Sequence, residues 1–159
     1  MPATATIEAA TIAPLASDVS PSVTYDSVNQ VISATVIISK VPGQPEPNIV
    51  AAPIHMPAGP WTMQWNLIAG SGIASVTFPL TDGVVVPQDQ IPPIPLNVTV
   101  GESQRNSDTQ WQVEFVNAVR TVNSFKYDIA VIPVDSANRF LGQVIVHDPT
   151  IAVTQDPIT

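Results

Sequence analysis

Two histidines, His55 and His147, are the only imidazoles in the chain. A nucleophilic hydrolase site would need one of them beside a serine and a carboxylate. No Gly-x-Ser-x-Gly elbow occurs, and Gly70-Ser71-Gly72 has the make-up of a turn. His147-Asp148 is an adjacent pair. Neighbours on a strand point to opposite faces, so the two do not converge on one substrate atom. A hydrolase reading therefore rests on His55, His147 and the carboxylates alone.

Other chemistries fare no better. There are no cysteines, which removes disulfides, thiolate metal sites and thiol nucleophiles. Zinc needs three or four closely set ligands, and two widely separated histidines do not supply them. Calcium prefers oxygen ligands, but the aspartates are dispersed and form no Asp-x-Asp-x-Asp-Gly loop. Asp82, Asp89, Asp135 and Asp148 lie in polar turns or beside Gly or Pro, where turn chemistry accounts for them. No Walker lysine or dinucleotide spacing is present. The sequence predicts no cofactor and no metal.

Ligand contact is the remaining chemistry. Trp61 directly follows Gly59-Pro60, at the mouth of an alternating strand. An aromatic there can stack on a sugar ring. Together with His55 and Gln64 it forms the candidate ligand-binding set, enclosed by the proline-rich loops 42–60 and 87–95. Trp65 and Trp111 are read as core.

These residues must be positioned by strands. In residues 61–67, Trp61, Met63, Trp65 and Leu67 alternate with Thr62, Gln64 and Asn66. Such a pattern describes a strand with one buried and one wet side. Residues 110–116 and 124–133 alternate likewise, with Trp111, Val113 and Phe115, then Phe125, Tyr127, Ile129 and Val131, on the inner face. Residues 30–39 are largely β-branched, which disfavours helix and fits a well-covered strand. Residues 74–78 and 83–86 are read as a hairpin joined through Thr81-Asp82-Gly83. Residues 96–100 form a strand ending at Gly101, with 102–109 a polar loop or short helical turn. Residues 41–60 hold six prolines and are read as irregular.

Seven to ten short strands in 159 residues predict an all-β, two-sheet antiparallel β-sandwich, immunoglobulin-like, with a closed β-barrel as the alternative. The domain spans 21–159. Residues 1–20 are a Thr/Ala-rich arm and a possible edge strand. The ending His147-Asp148-Pro149-Thr150-Ile151, after a Tyr127-bearing strand, resembles the Asp-Pro-x-Ile ending of small bacterial proteins of the DP-EP type. That resemblance implies a small β-domain and carries no activity or site.

Composition limits the partners. The net charge is −8, which repels nucleic-acid phosphates and anionic membranes. Charged residues are only 11% of the chain. Roughly 25% is usual, so the surface is weakly protected against self-association. A homo-oligomer, with a dimer favoured, is the expected state. The N-terminus lacks a basic and apolar leader, and the expectation is a cytoplasmic protein. The sequence reads as a non-enzymatic interaction module acting through its surface, alternatively a carbohydrate- or small-ligand-binding module.

Overall fold

The structure is a computed structural model that describes residues 21–118, 123–146 and 149–153. The arm 1–20, His147 and Asp148 lie outside the described residues.

The described residues form strands without a helix. In order they are β1 (Val23–Asp26), β2 (Val31–Ser39), β3 (Asn48–Ala51), β4 (Ile54–Met56), β5 (Gly59–Ala69), β6 (Ile73–Thr77) and β7 (Val84–Val85). β8 (Val98–Arg105), β9 (Gln110–Asn117), β10 (Asn123–Lys126), β11 (Asp128–Asp135), β12 (Val144–Val146) and β13 (Thr150–Val153) complete the chain.

One layer runs β1-β2-β5-β9-β8, with β3 sharing the β1 side of β2. The other is centred on β10 and β11, two halves of one run interrupted at Tyr127. β13 and β12 flank one side of that run and β7 and β6 the other, while β4 pairs with β13. Neither layer closes on itself among the described residues, so the protein is a sandwich and not a barrel. Pairing is antiparallel except at β2–β5 and β4–β13, which are parallel.

The core lies between the layers because each long strand has one apolar side. Ile32, Ala34, Val36 and Ile38 of β2 face it, as do Trp61, Met63, Trp65 and Leu67 of β5. Trp111, Val113 and Phe115 of β9 join them. From the opposite layer come Phe125, Tyr127, Ile129 and Val131. Ring pairs bridge the layers: Trp65 with Tyr127 at 5.1 Å, Phe115 with Phe125 at 5.6 Å and Phe78 with Trp111 at 5.6 Å. These separations suit tilted aromatic contacts.

Three local expectations are corrected. Residues 74–78 and 83–86 do not pair with each other; β6 and β7 each pair with β11. Residues 48–56 hold β3 and β4 despite the flanking prolines, since proline is tolerated at strand ends and edges. Residues 102–105 continue β8 past Gly101 by means of a register shift between Val100 and Ser103. Such a bulge breaks the alternation by which a strand is recognised.

Burial pushes the Tyr127 phenol up to about 12. Below pH 10 the group is neutral folded and unfolded. As pH rises from about 10 to 12 the unfolded chain ionises first, so stability falls by about 2–3 kcal/mol across that window. Chemical denaturation at stepped pH checks this. Tyr127→Phe is expected to flatten the loss, and an unchanged slope in that variant would contradict it.

Candidate functional site

Burial on one side of each strand leaves the intervening side chains on the outer face of the first layer. Strand register lines them up. Thr24, Ser33, Gln64, Gln112 and Gln104 form one row across all five strands. Thr35, Asn66 and Gln110 form the next. Asn106, just beyond β8, joins its end through its backbone N–H on the Gln110 carbonyl at 2.9 Å. Val31, Thr62 and Glu114 make a third row on the other flank.

The amides of the first two rows are bonded to one another. Asn106 Nδ2 donates to Gln112 Oε1 at 2.8 Å and to Gln110 Oε1 at 2.9 Å. Gln110 Nε2 donates to Asn66 Oδ1 at 2.8 Å, and Asn66 Nδ2 to the Ala34 carbonyl at 3.5 Å. Gln104 Nε2 donates to Asn106 Oδ1 at 2.8 Å, and Gln64 Nε2 reaches Gln112 Oε1 at 3.4 Å. A linked set of this kind fixes side chains that would otherwise rotate freely. It leaves a donor at Gln112 Nε2 and acceptors at Gln64 Oε1 and Gln104 Oε1 without a partner among the described residues. Neither row contains an ionisable group. These two rows can hold a ligand by neutral hydrogen bonds.

At its Thr62–Glu114 margin the face runs into a shallow cleft of about 170 Å³. Asn29, Gln30, Thr62 and Glu114 supply its polar lining, and Pro60, Val116 and the largely buried Trp61 and Phe115 its apolar wall. Gly59 sits nearby at φ 116°, a backbone conformation that favours glycine, with its missing Cβ directed toward the Gln30 side chain. Thr62 N–H donates to the Gln30 carbonyl at 2.9 Å, which fixes the turn over the cleft.

The three sequence-predicted residues point in three directions. Gln64 belongs to the outer face. Trp61 is 5% exposed, its ring edge-on to Tyr25 at 6.3 Å and its N–H donated to the Pro57 carbonyl at 3.1 Å. It offers no open ring for stacking. β4 alternates buried, exposed, buried, so His55 projects from the outer side of the second layer. What His55 does contribute is backbone: the Tyr25 hydroxyl donates to its carbonyl at 2.7 Å. Loop 42–60 meets Trp61 through the Pro57 carbonyl, covering the indole instead of framing an open site. Of the residues in loops 42–60 and 87–95 only Pro60 lines the cleft at its strand. In the second loop Gln90 instead pairs with the Lys126 backbone, at 2.8 and 2.9 Å, where β10 breaks.

Asp135 behaves as its turn position implied. Its carboxylate accepts from the backbone N–H of Ala137 and Arg139 at 2.9 Å and from Arg139 Nε at 3.0 Å. The Arg139 backbone N–H is the main cause holding its pKa below the ordinary carboxylate value. Asp26 is lowered in the same way by the backbone and side chain of Asn29.

Among the described residues no group of three or more His, Asp or Glu side chains is placed to hold a metal ion. No family model matches the sequence, and neither the curated proteins nor the solved structures give a match.

Proposed function

We propose that the protein is a non-catalytic interaction module whose working surface is the outer face of the first layer. One observation carries this reading: two rows of neutral amides and hydroxyls are held in register across the sheet by their own hydrogen bonds. Amide side chains on a wet sheet face need no such order for solubility, whereas preorganised donors and acceptors lower the entropy a ligand must forfeit.

Self-association belongs to the same reading. Leu80, Ile91, Leu96 and Phe140 are 81%, 87%, 105% and 70% exposed, on a surface with few charges to oppose contact. Light scattering at micromolar concentration is expected to give a dimer, and a strict monomer would remove that part of the proposal.

The working surface is tested by retention on four immobilised probes: a neutral polysaccharide, an anionic polysaccharide, a peptide library and the protein itself. A Gln64→Lys/Gln112→Lys variant is expected to lose retention about tenfold or more, given like-for-like loss of two polar contacts. Ile145→Lys, on the second layer, is expected to keep it. Loss confined to Ile145→Lys, or no retention on any probe, would overturn the reading.

A further inference from the structure

We infer that the outer face binds an uncharged, hydroxyl-rich polymer, a neutral polysaccharide chain lying across the strands along the amide rows. This rests on the reading of that face as the working surface.

Charge selects the class first. The chain carries −8 overall, so anionic polymers are repelled, and the two amide rows are themselves neutral, with the Glu114 carboxylate at their cleft margin. Uncharged donors and acceptors of this kind pair with the hydroxyls of a neutral polymer. Each sugar hydroxyl both donates and accepts, and each Gln or Asn side chain offers both functions from one group. The unspent groups match that need: a donor at Gln112 and acceptors at Gln64 and Gln104 lie side by side in one row.

Geometry selects a chain over a compact ligand. Neighbouring strands are about 4.8 Å apart, so Ser33, Gln64, Gln112 and Gln104 form a straight ladder about 14 Å long. The Thr35–Asn66–Gln110 row runs parallel to it about 7 Å away. The cleft beside the ladder adds the Glu114 carboxylate as an acceptor, with Pro60 and Val116 as an apolar wall for the C–H face of a sugar ring. No tryptophan is needed in this arrangement, and Trp61, Trp65 and Trp111 all face the core.

Native affinity electrophoresis of the full chain tests the inference, with hydroxyethylcellulose, dextran and arabinoxylan as neutral probes and alginate as the anionic one. At least one neutral polymer is expected to retard the wild-type protein. Gln64→Ala/Gln112→Ala should weaken that retardation about tenfold or more, each hydrogen bond being worth a few-fold. Ile145→Lys, on the exposed side of the second layer, should leave it unchanged, and circular dichroism melting confirms that the double variant folds. No retardation by any neutral polymer, or retardation that survives the double variant, would overturn the inference. Retardation by alginate alone that the double variant abolishes would overturn the ligand class and leave the working surface standing. Binding unaffected by any face variant would remove both.

Discussion

Trp65→Ala is expected to cost about 3–5 kcal/mol of folding stability, the range for emptying a large aromatic site in a core. Trp65 is 0% exposed, lies between Ala34 and Trp111 in the first layer, and meets Tyr127 of the second at 5.1 Å. Its removal opens a cavity in both layers at once. Urea denaturation should show a lower midpoint with an unchanged slope. A loss below about 1 kcal/mol would contradict the packing described. The indole N–H adds a second test, because it is buried without an acceptor in hydrogen-bond geometry. An unpaired buried donor costs about 1–3 kcal/mol. Trp65→Phe sheds that donor while keeping a ring, so it should lose at most about half of what alanine loses.

Gly83→Ala is expected to destabilise the fold by overpacking. A Cβ at this position would lie 2.5 Å from Trp111 Cε3 and 2.8 Å from Phe78 Cδ1. Both rings are buried, and the Gly83 carbonyl accepts from the Ala130 N–H at 2.8 Å, which holds the backbone in place. Overpacking of this kind costs about 1–3 kcal/mol and sometimes more. The variant should lose about 3 kcal/mol by urea denaturation, with a changed near-ultraviolet tryptophan signal. A loss under about 0.5 kcal/mol would show that the loop relaxes away from the rings.

Gly83 also shows where sequence reading stops. Beside Asp82 it has the spacing of a hairpin turn, and local rules read it so. Its actual constraint comes from Trp111 and Phe78, residues that only the tertiary fold brings to it. By contrast, β5, β9 and the β10–β11 run were legible almost residue by residue, because one-sided burial imposes a period of two that nothing else in a sequence mimics. β3 and β4 were hidden by the prolines around them, and the end of β8 by its bulge. Which strands pair left no local trace. β2 lies hydrogen-bonded in parallel to β5, with residues 31–38 against 62–69.

The same limit applies to the site. Gln64 was visible as a polar residue on a wet face, and Gln112 as the outward partner of Trp111 and Val113. Their union in one row with Ser33 and Gln104 depends on the register of four strands. Trp61 was misplaced for a related reason. Its turn suggested an open mouth, but the Tyr25 ring of β1 and the Pro57 carbonyl of the preceding loop cover it. A position's face is local information, while its exposure depends on what the rest of the chain lays over it.

The most direct measurement is a titration followed by NMR of the side-chain amide groups, with hydroxyethylcellulose, arabinoxylan, alginate and the protein's own concentration as variables. The Asn66, Gln64, Gln104, Asn106, Gln110 and Gln112 resonances are expected to shift together, saturably, with a neutral polymer. Shifts confined to Gln88, Gln90 or Gln143, or none on the outer face with any probe, would contradict the assignment of that face as the working surface.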